Sequence, residues 1–151
     1  MKIEDELQMS HFKSEMQKAH LNILFTASWL RSRMLPRFKA FGISNEQFNV
    51  LRILRGQNPK SLCVRDIKER MIDRNSNTTR IIDKLLEKEY VSKQTSERDK
   101  REIEVYISEK GLALLKEIDD DFEKDNPHLA GLSASEAQLL NALLDKLRDT
   151  P

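Results

Sequence analysis

Apolar residues recur along this chain with two different periods, and the changes of period divide it into elements. Between residues 5 and 38, Leu21, Leu24, Phe25 and Trp29 fall at i, i+3, i+4 and i+8, which predicts a long first helix. Pro36 should kink or end it. Gly42 then supplies a stop and Ser44 an N-cap, and Phe48, Leu51 and Leu54 at steps of three predict a second helix, broken over 56–59.

Val64, Ile67 and Met71 predict a short third helix over 64–71. A fourth fits residues 76–89, where Ile81, Ile82, Leu85 and Leu86 bury one side and Arg80, Lys84, Glu87 and Lys88 stay polar. Two short helices joined by a tight turn form a helix-turn-helix. After Tyr90 the period drops to two: Ile103, Val105 and Ile107 alternate with Glu102, Glu104 and Tyr106, the mark of a half-buried strand. Residues 91–95 can pair with it, leaving 96–101 as a charged hairpin tip. Helical spacing returns from Glu109 through Leu115, Ile118 and Phe122, ending near Asn126 and Pro127. A last helix begins at Ser133 with Glu136 three residues on, a capping-box pattern, and carries Leu139, Leu140, Leu143, Leu144 and Leu147.

This order makes the fold class mainly α (α+β), a winged helix: a helix-turn-helix followed directly by a charged hairpin, flanked by longer helices. The major groove of B-DNA admits one helix, so small polar residues at the start of the second helix of such a motif can reach base edges. Asn75, Ser76, Asn77, Thr78, Thr79 and Arg80 are residues of that kind, and five consecutive hydroxyl or amide side chains exceed what one helix cap needs. Charge agrees. The chain totals only +1, but residues 52–101 hold 14 basic against 8 acidic side chains, and residues 102–151 hold 5 against 12. A basic middle fits an anionic partner.

Two stretches then carry a resemblance. Ile81, Ile82, Asp83, Lys84 and Leu85 followed by Tyr90, Val91, Ser92 and Lys93, and next Asp99, Lys100, Arg101, Val105, Ile107, Ser108 and Gly111, resemble the recognition-helix end and wing of the MarR (multiple antibiotic resistance regulator) family over about residues 62–115. The resemblance implies a single domain over 1–151, with a DNA-binding winged-helix lobe at about 44–107 and dimerisation helices at about 5–38 and 109–148. It implies a homodimer that recognises double-stranded DNA at an inverted repeat, more often as a repressor, and responds to a small aromatic or amphipathic effector. The expected DNA contacts are Asn75, Ser76, Asn77, Thr78, Arg80 and Lys84 on the helix, and Arg98, Asp99, Lys100 and Arg101 on the wing, with Asp99 fixing an arginine. Trp29 and Arg33 are the candidates for lining an effector crevice. Two positions depart from the family pattern. Glu89 replaces the usual glycine at the end of the recognition helix, which suggests a different turn there, and Ile72 replaces a glycine between the two helices, leaving the turn to Asp73.

Other classes find little support. His11, His20 and His128 lack metal-ligand spacing, and there is neither a glycine-rich phosphate loop nor a paired cysteine motif, so no enzyme, metal or cofactor is expected. A winged helix that binds protein without DNA is the alternative function; it would present an apolar recognition face, and Asn77 with Arg80 opposes it. No apolar run reaches the roughly 20 residues that span a bilayer, and the acidic start is unlike a secretion signal, so the expected setting is the cytoplasm. Cys63, alone, can form no internal disulfide and reads as a small buried filler ahead of the third helix.

Overall fold

A computed structural model describes residues 1–97, 99–124 and 131–149. Its elements in chain order are α1 (Ile3–Glu6), α2 (Glu15–Ala40), α3 (Asn45–Arg55), β1 (Leu62–Cys63), α4 (Val64–Arg70), α5 (Thr78–Glu87), β2 (Val91–Thr95), β3 (Ile103–Ile107), α6 (Glu109–Lys124) and α7 (Ala134–Arg148). Contacts divide the chain into two compact units, Met1–Lys116 and the residues from Glu117 onward.

The expected first helix is two pieces. A short α1 is followed by a break, and α2 starts at Glu15 because the Ser14 hydroxyl accepts the Gln17 backbone N–H at 3.2 Å. Nor does Pro36 end α2, which runs one turn beyond it. That last turn is anchored, since Phe38 is 2% exposed and its ring stacks on Phe48 with centroids 4.5 Å apart. Gly42 (φ +70°) then reverses the chain: its N–H bonds to Lys39 O and the Ile43 N–H reaches back to Phe38 O. Those two bonds are a Schellman cap, and they need a left-handed residue at Gly42.

Ser44 and Gln47 close α3 with a reciprocal capping box. From there the first unit has one core. Val50, Leu51 and Leu54 of α3 are buried, as are Ile67 of α4, Ile82 and Leu85 of α5, Val91 of β2, Val105 of β3 and Leu115 of α6. The strands form a three-stranded antiparallel sheet in the order β1-β3-β2, with Val91 opposite Ile107, Thr95 opposite Ile103 and Leu62 opposite Val105. Alternation holds toward the core, where Val105 and Ile107 are buried, and fails at Ile103, which is 41% exposed because that end of the hairpin runs out past the core. Residues 125–130, where the end of α6 was expected, lie outside the described residues.

In the second unit, α7 opens with a Ser133–Glu136 capping box, as expected. The Ser133 backbone N–H, foremost, and its hydroxyl hold the Glu136 carboxyl below the usual carboxylate range. None of the α7 residues is buried.

Candidate nucleic-acid interface

The site grows from how α5 is set on the core. Between α4 and α5 the chain makes a tight turn in which Asp73 Oδ1 accepts the Asn75 backbone N–H at 3.0 Å, and Asp73 O accepts that of Ser76 at 3.2 Å. The expected turn chemistry of Asp73 is therefore present. Ile72, at the position of a glycine in the pattern, keeps a negative φ, and its N–H is held at 2.8 Å by Asn49 Oδ1 from α3. Asn77 is the N-cap of α5, accepting the Arg80 backbone N–H at 3.1 Å.

Helical geometry then sorts the polar run. Thr78, Ile82 and Leu85 share the buried face, and Thr78 is only 4% exposed, with a hydroxyl that has no hydrogen-bond partner. The expected DNA contact at Thr78 is corrected on this geometry: its side chain belongs to the core. Asn75, Asn77, Thr79, Arg80, Asp83 and Lys84 are exposed and Ser76 is half-buried, so the outer face of the first two turns is polar, with the cations Arg80 and Lys84 against the single carboxylate of Asp83. Asn77 itself is committed in part, since its oxygen already serves the cap.

At its other end α5 closes in a way the sequence did not suggest. Glu89 takes φ 61°, its N–H bonds to Leu86 O, and the Tyr90 N–H bonds to Leu85 O. The expected different turn is thus corrected to the same left-handed cap that a glycine makes, here built on a glutamate. The Ser108 hydroxyl locks this corner, donating to Glu89 O at 2.7 Å and accepting the Gly111 N–H at 3.0 Å. Gly111 is required there: a Cβ would lie 2.3 Å from Tyr90 O.

The wing follows as β2 and β3. At its tip Asp99, Lys100 and Arg101 are exposed, and Arg98 lies outside the described residues. Asp99 Oδ1 accepts the backbone N–H of Arg101 at 2.9 Å, and Asp99 O accepts that of Glu102 at 2.9 Å. Asp99 thus shapes the arginine's main chain, where a side-chain fork had been expected. Behind the tip, Glu104 is held below the usual carboxylate range by the hydroxyl of Ser96 first and that of Tyr106 second; the Tyr106 hydroxyl donates to Glu104 Oε2 at 3.0 Å. Arg65 of α4 reaches Glu102 Oε1 at 3.5 Å and so ties the helix-turn-helix to the wing. Neither Arg65 nor Asn49 carried a sequence signal, because each partner is more than 20 residues away.

Among the described residues no group of three or more His, Cys, Asp and Glu side chains could hold a metal ion, and no helix is long and apolar enough to cross a membrane. Cys63 is half-buried rather than core, ending β1 and capping α4 without a side-chain hydrogen bond.

Residues 43–103 match the MarR family model. Over the whole fold the chain is similar to a MarR transcription factor from Planctomyces limnophilus, at 28% identity and a TM-score of 0.68, covering 89% of this chain and 98% of that one. The chain resembles the MarR family, and its fold is a winged helix. A MarR-like transcription regulator from Bacillus cereus aligns at 24% identity and TM-score 0.74, covering 89% and 96% of the two chains. A cysteine-to-serine mutant of MarR from E. coli, in a complex with operator DNA, aligns at 22% and TM-score 0.78, covering 91% and 99%. No curated protein sequence matches the chain.

Within this winged-helix fold, Trp29 and Arg33 pair with each other, the guanidinium lying 4.8 Å from the indole centroid. Trp29 lines a small cavity of about 150 Å³ with Ile3, Asn22, Phe25 and Thr26, and a larger one of about 370 Å³ opens on the face of α2 that carries Leu30, Arg31 and Met34; Arg33 lines neither.

Proposed function

We propose that the chain is a sequence-specific DNA-binding transcription regulator, working as a homodimer and repressing by occupying an inverted-repeat operator. The observation that carries this reading is the outer face of α5. A recognition helix seated on the core by Thr78, Ile82 and Leu85 offers Thr79, Arg80 and Lys84 outward, and the wing that follows it in the chain exposes Lys100 and Arg101 at its tip. Thr79 and Arg80 sit in the first helical turn, where backbone N–H groups also favour phosphate, and they take the base-reading role; Lys84 and Lys100 take phosphates. Asn75, Ser76 and Asn77 flank them at the helix entry. The likeness of the fold to a MarR protein in a complex with operator DNA supports the same orientation. An apolar outer face would favour a protein-binding module, and this face is polar.

Selection of bound sites from a random duplex pool tests the proposal. The expected product is an inverted repeat with half-sites about 34 Å apart, one DNA turn. Against the selected site, Arg80→Ala should cost about 1–3 kcal/mol, while affinity for unrelated duplex changes much less. A pool that shows no enrichment would refute sequence-specific binding.

A further inference from the structure

Lys88, the C-cap of α5, reaches back 46 residues to the turn between α2 and α3. Its Nζ donates to Gly42 O at 2.6 Å and to Gln47 Oε1 at 3.4 Å. Both acceptors are held in place. Gly42 is the left-handed residue of the cap that ends α2, and Gln47, 6% exposed, has its oxygen fixed by the Ser44 N–H at 3.1 Å in the capping box of α3. One ammonium on α5 therefore meets the end of α2 and the start of α3. It lies at the carbonyl end of α2, which favours a cation. Lys88 is also half-buried, so hydrogen bonds from its charge are worth more than the same bonds in open water.

The ammonium is engaged by the protein's own oxygens, whereas Arg80 and Lys84 stand exposed on the outer face. Its effect on recognition is one of leverage. Thr79 and Arg80 lie nine and eight residues before Lys88, so a tilt of about 5° at the tied end, roughly 12 Å away along the axis, moves them by about 1 Å. The Phe38–Phe48 stack fixes α2 to α3, and Lys88 carries that link on to α5. In a dimer built on α2, the gap between the two recognition helices is then held as stiffly as α5 is held to α2. Adding one base pair between half-sites turns them by about 35° and parts them by about 3.4 Å, which a stiff dimer cannot follow. We infer that Lys88 is a positioning residue that sets which half-site spacing the protein accepts, by fixing the recognition helix to the end of α2. The spacing role rests on the proposed function; the tie does not.

The full chain is compared as wild type, Lys88→Arg and Lys88→Met. Without DNA, 15N NMR follows the Ile43 amide, which shares a peptide group with Gly42 O. Lys88→Met should move this resonance, and Lys88→Arg, which keeps a cationic donor, should move it less. With DNA, affinity is measured for the selected inverted repeat and for repeats with a spacer one base pair longer or shorter. Lys88→Met should lose about fivefold or more of the wild-type discrimination between spacers, the strength of one hydrogen bond, and Lys88→Arg should retain it. Base preference within a half-site and the salt dependence should stay as in wild type, because Lys88 touches neither base nor phosphate. An unmoved Ile43 amide in Lys88→Met would overturn the tie. Affinity lost equally at every spacer, or a salt dependence flattened by about one phosphate equivalent, would overturn the spacing role. Should Lys88→Met fail to fold, Gln47→Glu replaces it: glutamate also closes a capping box and sets a charge opposite the ammonium, so spacer discrimination should rise, and a fall would overturn the role. A wild-type chain that selects no inverted repeat would fail the proposed function and the spacing role with it, while the Ile43 resonance would still decide the tie.

Discussion

At the scale of single residues, Thr78 and Glu89 bracket the recognition helix, and each departs from what its local chemistry favours. Thr78 buries a hydroxyl with no partner, which costs about 1–3 kcal/mol relative to a satisfied or absent one. Thr78→Val keeps the shape and removes the unpaired group, so chemical denaturation should show equal or higher stability, by up to about 1 kcal/mol, and affinity for the selected operator should be unchanged. Lost operator binding in a stable Thr78→Val protein would return this residue to the interface. Glu89 sits in the left-handed region, where an L-residue costs roughly 1–2 kcal/mol over glycine. Glu89→Gly removes that strain but adds backbone freedom to the unfolded chain and gives up an exposed 3.5 Å pair with Lys110. The balance should leave the variant about 0.5 kcal/mol more stable, read as a rise of a few degrees in Tm. A fall in Tm would mean that the Lys110 pair and the added freedom of the unfolded chain outweigh the strain.

At the scale of elements, the wing combines a main-chain lock with a cationic tip. Asp99 at the tip would repel a phosphate, and its observed bond to the Arg101 N–H explains its presence as a turn former that aims Arg101. Arg101→Ala should weaken DNA binding without unfolding and flatten the salt dependence by about one phosphate equivalent. Asp99→Ala makes the tip more positive yet should also weaken binding, because the arginine loses its aim. Tighter binding of Asp99→Ala to all sequences alike would mark the wing as a loose electrostatic patch. Elements also differ in how far the sequence alone disclosed them. Both wing strands were legible because a half-buried hairpin must alternate, whereas β1 has two residues, too few for any period. The break before α2 does carry a sequence signal, Ser14 with Gln17 three residues on, weaker than the apolar spacing that runs through it. Thr78 was legible too: it lies four residues before Ile82 and seven before Leu85, on the buried stripe. The Asn49–Ile72 and Arg65–Glu102 links were not, since only the tertiary fold brings those residues together.

At the scale of the whole molecule, exposure is divided unevenly. The core-facing residues of α3, α4, α5 and the sheet are buried, whereas the two long helices proposed for dimerisation are apolar and open. On α2, Met16 is 72% exposed, Leu24 56% and Leu35 53%; on α7, Leu139 is 61% exposed, Leu143 56% and Leu147 48%. A 15-residue helix with no buried side chain is marginal on its own, because its stability must come from a packed face. Covering the exposed half of each such leucine is worth about 0.8–1.5 kcal/mol, and a two-fold interface counts every such residue twice. The protein should therefore have twice the chain mass by light scattering at micromolar concentration. Leu139→Asp with Leu143→Asp places four carboxylates in that interface and should yield monomers. The first unit carries its own core, so the winged helix should stay folded by near-ultraviolet circular dichroism. Operator affinity should then fall steeply, since each lobe reads one half-site alone and loses the effective concentration its partner supplied. A wild-type monomer would sink the dimer outright. Monomeric double mutants that hold the inverted repeat as tightly as wild type would show instead that dimerisation plays no part in recognition.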